Sequence, residues 1–328
     1  MRLMMLRSVA LTVAALLFLA PVARAETVLK IATVAPRGSI WMRVFNKMKK
    51  KIAQKTGGAV KLRFYPGQVQ GDERDVVRKM RTGQLQGGSF TAVGLSQINR
   101  EALILQMPRM FKSAASLDKV KKGLVEDFDK SFAKRGYVLL GWSEVGQIHL
   151  FCKEKVTTLA QLRKQRVWAW SDDPISKAMM RTMGIKPRAL GLPQVYPALN
   201  TGMINVVMNS PLGAMALQWH TKVKYILAEP LAIGIGATVI TKTSFDKLSP
   251  AHQKLLVAYA RKYHEALTKR IRRDNTKAFA ALKASGIKTI PLNADDRAAY
   301  NKAASKVARS FVPRYYPRAL LKKVLRLR

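Results

Sequence analysis

From residue 28 onward, stretches with the two-residue rhythm of a strand give way to stretches with the three- and four-residue rhythm of a helix. Residues 28–34 read as a strand, followed by the turn Ala35-Pro36-Arg37-Gly38-Ser39. Ser39 is placed to cap a helix whose apolar stripe is Trp41, Phe45, Met48 and Ile52, stopped by Gly57-Gly58. Residues 59–65 read as a second strand, closed by Pro66-Gly67. Asp72 opens a helix with Val76, Val77 and Met80 turned inward and Gly83 at its end, and residues 88–93 read as a third, buried strand. Alternation of this kind predicts an α/β chain with parallel sheets covered by helices.

The second half repeats the grammar. Residues 137–142 and 148–153 read as two strands, and residues 167–170 as a short third one. Asp173-Pro174 has the form of an N-cap with proline at the first helical position. Residues 193–200 form a short helical pattern ending at Gly202, residues 204–209 a strand, and residues 232–241 a Gly-rich apolar strand. Residues 250–285 hold an amphipathic helical pattern without internal Pro or Gly, about 54 Å long at 1.5 Å per residue. A chain of 328 residues exceeds one comfortable core, so two lobes are expected. No flexible tether separates them, which implies a chain that crosses between lobes more than once.

The N-terminus adds a compartment. Arg2 and Arg7, an apolar run over residues 9–19 and Ala23-Arg24-Ala25 make up the n-region, h-region and A-x-A site of a signal peptide cleaved after Ala25. Cleavage removes three Arg and no acid, so the net charge of +40 becomes +37. Such a charge speaks to partners and solubility rather than to fold. Its bland reading is a solvated basic surface; its functional reading is attraction to an anionic membrane surface. Nucleic acid is set aside, because no nucleic-acid motif accompanies the charge.

Catalytic patterns are absent from the sequence. The four His (149, 220, 252 and 264) show no metal-ligand spacing, and there is no G-x-S-x-G, Walker loop or dinucleotide fingerprint. Cys152 stands alone and reads as a small buried hydrophobe. The expectation is a protein that is not an enzyme and needs no cofactor or metal.

Several segments, in order, resemble the solute-binding proteins of TRAP transporters, DctP type. They are Leu29-Lys30-Ile31-Ala32, Lys55-Thr56-Gly57-Gly58-Ala59-Val60, Phe64-Tyr65-Pro66-Gly67-Gln68 and the run Gln194-Val195-Tyr196-Pro197-Ala198-Leu199-Asn200-Thr201-Gly202-Met203-Ile204-Asn205. The resemblance covers nearly all of the chain after residue 25. It implies a periplasmic protein with a two-lobe α/β fold, a ligand cleft between the lobes and a long helix across both. It also implies partners: the small and large membrane subunits of a TRAP permease. On this basis residues 26–147 form the first part of lobe I, 148–231 the first part of lobe II, and 232–248 a return to lobe I. Residues 249–286 are the crossing helix and 287–328 a C-terminal helical segment.

Ligands in open α/β sheets sit beyond the carboxyl ends of strands. That rule nominates Trp41, Thr91, Trp142 and Gln147 on the first lobe and Trp168, Trp170 and Asn209 on the second; Asn209 also matches a site segment of the family. The family's second lobe carries an Arg at the end of a D-L-K-G-L-K-I-R-like run, which pairs with the ligand carboxylate. Here the run is Gln161-Leu162-Arg163-Lys164-Gln165-Arg166-Val167-Trp168, so an indole stands where the guanidinium would be. The expectation that follows is a ligand more hydrophobic than a simple carboxylate, lipid-like or aromatic. Arg37, Arg109 and Arg188 stay open as substitute anchors. A second reading keeps the fold but makes the protein an envelope carrier of lipids or other hydrophobic molecules that docks on anionic membranes.

Overall fold

The computed structural model describes residues 26–328, so the signal-peptide expectation for residues 1–25 lies outside the described residues. Ten strands run in chain order: β1 (Thr27–Thr33), β2 (Val60–Tyr65), β3 (Gly87–Thr91), β4 (Tyr137–Cys152), β5 (Trp168–Trp170), β6 (Arg188–Leu190), β7 (Val206–Asn209), β8 (Tyr225–Leu227), β9 (Ala232–Thr241) and β10 (Lys288–Ile290).

The first lobe begins as the sequence predicts. β1 pairs in parallel with β2 and β3, the alternating β–α rhythm having laid them side by side. The helix Ile40–Lys55 buries Phe45, Met48 and Ile52 against them, with Ser39 Oγ accepting from Met42 N. Trp41 turns partly out of that stripe and donates its indole N–H to the Glu144 carbonyl, 3.2 Å away. The third strand is shorter than expected: it stops at Thr91, whose hydroxyl caps the helix Ala92–Ile98.

The sheets are mixed rather than parallel. β9 returns from the second lobe and pairs antiparallel with β3 on one side and β4 on the other. The two strands expected at 137–142 and 148–153 are one 16-residue strand, β4. It continues through residues 143–147 with bulges at Leu139/Gly141 and Glu144/Gly146, which re-aim the strand without ending it. Its C-terminal end belongs to the second lobe, where His149–Cys152 pair with β7 and β8 continues the sheet to β10. β5 and β6 form a separate small parallel sheet.

The long helix runs Pro250–Ala284, roughly 52 Å. Its buried residues Leu256, Ala260, His264, Leu267, Ile271, Asn275, Ala278 and Leu282 recur at three- and four-residue spacing. Leu256–Ile271 pack into the first lobe's core and Leu282 into the second's, so one stripe joins both.

His264 on this stripe is neutral. Its Nδ1 donates to the Ala260 carbonyl at 2.8 Å, which leaves Nε2 to accept from the Thr238 hydroxyl at 2.8 Å. Burial pushes its pKa down to about 4. The unfolded chain, with an ordinary imidazole, takes up the proton first, so this contribution is present above the unfolded value and is lost as pH falls from about 6.5 toward 4. The expected loss is about 3 kcal/mol across that window. Urea unfolding of His264→Gln against the parent at pH 4.5 and 7 should show the slope gone in the variant; an unchanged slope would assign it to other groups.

Candidate functional site

Between the lobes, and reaching into the second, lies a cavity of about 290 Å³. Its first-lobe wall comes from the turn after β1 (Thr33–Pro36), from Trp41, and from Ser89, Phe90 and Thr91 at the end of β3. The second-lobe wall carries Trp168, Trp170, Asn209, Gly213 and Trp219. Trp41, Thr91, Trp168, Trp170 and Asn209 are therefore brought together around one cavity.

Trp142 and Gln147 are not among the lining residues. Trp142 packs edge-on against Phe128 and Phe132 with centroids 5.1 and 6.2 Å apart, and Gln147 is exposed. The physical reason is the continuity of β4: a loop over 142–147 would have aimed both side chains beyond a strand end, but an unbroken strand alternates them onto its faces.

The tryptophans present faces rather than donors. Trp168 is 4% exposed and packs edge-on to Trp219 at 5.3 Å. Its Nε1 donates to the Leu190 carbonyl at 3.1 Å. Trp170 spends its indole N–H on Asp72 Oδ2, 2.9 Å away in the other lobe. The same oxygen accepts from Leu192 N at 2.9 Å. Asp72, read from sequence only as a helix cap, thus also latches the second lobe. Arg74 and Asp172 meet across the same seam at 3.6 Å, but both solvent exposure and distance make that pair a weak addition. Trp170→Phe keeps the ring and removes the donor. It should weaken ligand binding about tenfold through a faster off-rate, measured by stopped-flow fluorescence; an unchanged off-rate would show that the bond does not hold the lobes together.

Asn209 ends β7, opposite His149. Its Oδ1 accepts from Ser210 N at 2.8 Å, which leaves Nδ2 without a protein partner among the described residues. A Cβ on Gly213 would come within 2.3 Å of that Oδ1, so only glycine allows Asn209 this position.

Among the described residues no Lys, Arg or His lines the cavity; its charged side chains are Glu73, Glu144, Asp173 and Asp296. Arg37 and Arg188 are exposed, and Arg109 pairs with Glu229. Each lining acid is already engaged. Glu144 meets Arg272 and Lys121. Asp173 caps the helix Pro174–Thr182, burial holding its carboxyl above the usual range. Asp296 accepts from Leu159 N at 2.9 Å.

Glu73 is the residue that sequence reading missed. It is fully buried and accepts from Thr91 N at 2.7 Å, Thr91 Oγ1 at 2.8 Å and Gly94 N at 2.6 Å. Burial outweighs those three donors and pushes its pKa up to about 7. In sequence it passes for an ordinary first-turn acid, since its partners lie 18 and 21 residues further on. Among the described residues no cluster of His, Cys, Asp and Glu has the form of a metal site, and no helix is long and apolar enough to cross a membrane.

Two lobes joined by shared strands thus enclose a walled cavity. The family comparison gives the group: the chain belongs to the DctP family, "Bacterial extracellular solute-binding protein, family 7", which matches residues 31–314. Proteins of this family are periplasmic and work with TRAP transporters. The chain is 25% identical over 288 residues to the 2,3-diketo-L-gulonate-binding periplasmic protein YiaO of Escherichia coli, covering 83% of this chain and 84% of that one. Solved TRAP solute-binding proteins share the fold. One from Roseobacter denitrificans with bound β-D-glucuronate has a TM-score of 0.84 at 19% identity, covering 92% of this chain and all of its own. One from Haemophilus influenzae with bound L-gulonate has a TM-score of 0.86 at 18% identity with the same coverage.

Proposed function

We propose that this protein is the receptor of a TRAP transporter, that it closes its two lobes on an organic solute, and that it hands the solute unchanged to the small and large permease subunits. The observation that supports this most directly is the latch from Asp72 to Trp170 and Leu192, which draws the lobes together over a cavity in the fold of a solute-binding family.

The ligand we propose has an apolar body and an uncharged polar group, unlike the sugar acids bound by the relatives. The support is the lining: apolar walls, indole faces, the Asn209 amide, and no cation. A carboxylate entering this space forgoes the charge-assisted bonds that are worth about 1.5–3 kcal/mol each. It also approaches Glu73, which is ionised above about pH 7. The relatives favour a second reading, a small organic acid, in which Asn209 and neutral Glu73 supply the hydrogen bonds. The membrane-docking carrier has only the basic composition behind it.

Calorimetry decides between these. The proposal expects no detectable heat with glucuronate or gulonate at pH 8 and a neutral apolar species in the native mass spectrum of protein purified from the envelope, lost in Asn209→Ala. Micromolar glucuronate binding at pH 8 would restore the organic-acid reading.

A further inference from the structure

The cavity extends well past the interlobe cleft. Beyond Trp168 and Asn209 it continues to the opposite face of the second lobe's sheet, where Val156, Leu162, Met180, Met183, Ile185 and Met208 line it. Alternation along the strands explains the two faces. Trp168 on β5 and Val207 on β7 belong to the core that holds Trp219. Their neighbours Val167, Ala169, Val206 and Met208 belong to the other core, which surrounds this inner chamber. Side chains of that core therefore line the same cavity as the cleft residues Trp168 and Asn209 do.

We propose that the inner chamber is a second subsite, holding the hydrocarbon tail of an amphiphile whose uncharged polar head sits in the cleft at Asn209. This rests on the receptor reading above and deepens it.

Three observations support the tail. First, three of the wall residues are methionines, unbranched and adaptable, which suit a flexible chain better than a rigid ring. Second, the far end is reached by Asp296, already hydrogen-bonded to Leu159 N and Asn293 Nδ2; an acid there disfavours a ligand with a carboxylate at its distal end. Third, the volume matches. A cavity of roughly 150 Å³ holds benzene, so the 290 Å³ here accommodates on the order of twelve heavy atoms. That figure bounds head and tail together, so the tail holds about ten carbons at most.

The test is a homologous series of straight-chain 1-alkanols from six to twelve carbons, titrated into the protein while tryptophan fluorescence is followed. Affinity should rise about fourfold per methylene and level off near ten carbons. Met180→Trp, which fills the chamber, should move the plateau to shorter chains. If that variant does not fold, Met183→Phe at a half-buried wall position makes the same comparison. Filling a true void should also leave the melting temperature unchanged or raised. Asn209→Ala should weaken every alkanol by the same factor and leave the plateau where it was.

A flat dependence on chain length, or an unmoved plateau in a folded chamber variant, overturns the proposal. Binding of gulonate that requires Asn209, with no alkanol bound, overturns the chamber and leaves the receptor standing. Failure of both ligand classes, with Asn209→Ala silent, overturns the cleft as well.

Discussion

Arg272→Ala should destabilise the protein by about 3 kcal/mol, the cost of taking the two-pronged partner from a buried acid that keeps only Lys121. Arg272 on the long helix reaches two carboxylates. It donates to both oxygens of Asp118 at 2.6 and 2.8 Å, and to Glu144 Oε2 at 3.0 Å with a second, shorter bond to Oε1. Glu144 is 1% exposed, in the middle of β4. Lys121 stands 3.4 Å from it and cannot reproduce the planar two-pronged geometry. The pairing holds the guanidinium firmly protonated and keeps Asp118 below the usual carboxylate range, through bonds from Arg272 and Lys121 that outweigh its partial burial. Denaturant unfolding measures the loss. Adding Glu144→Gln to the variant should recover part of it, because the buried charge that Lys121 alone compensates is then gone. Equal stability of the single and double variants would place the cost elsewhere, in lost packing of the Arg272 stem.

Gly146→Ala should cost about 3 kcal/mol and slow lobe closure. Gly146 sits beside the second bulge of β4 at φ +118°, where a side chain is strained wherever it points. A Cβ there would lie 2.2 Å from Asn275 Nδ2 and 2.6 Å from Asn275 Cγ. Asn275 is not free to move. Its Nδ2 donates to the Ile271 carbonyl at 3.0 Å and to Val145 O at 3.3 Å, and its Oδ1 accepts from Leu212 N at 3.1 Å. It thus ties the long helix to both the strand that joins the lobes and the first turn of a second-lobe helix. Gly146→Ala with Asn275→Ala removes the collision but keeps the strain. If the double variant is no worse than Asn275→Ala alone, strain at φ +118° contributes little and the collision is the whole effect.

What was legible in the sequence was what repeats locally. The long helix shows its stripe because its two cores lie along one face, and Trp168 and Trp170 fall on one side of their strand by simple alternation, centroids 6.2 Å apart. What was not legible depends on partners far along the chain. Two strands were expected, 137–142 and 148–153, with Glu144 between them. The charge is instead neutralised by Arg272, 128 residues later, and so can lie inside one continuous strand. Trp142 and Gln147 were misplaced by the same error. The parallel expectation failed because the order of strands does not reveal that β9 inserts between β3 and β4. A cavity wall has no pattern at all, since the residues that line it are those of any core.

The insertion of β9 also sets an order of events for a chain that emerges N-terminus first. β3 finds one neighbour in β1 as soon as it appears, but its other edge stays bare until residues 236–240 arrive, pairing Gly87 with Ile240 across more than 150 residues. Most of β4 waits for the same segment. Neither lobe is a unit that can be completed, cut out or swapped alone, and a chain halted before residue 232 exposes an unpaired edge on β3 and a longer one on β4, the surfaces on which other chains assemble.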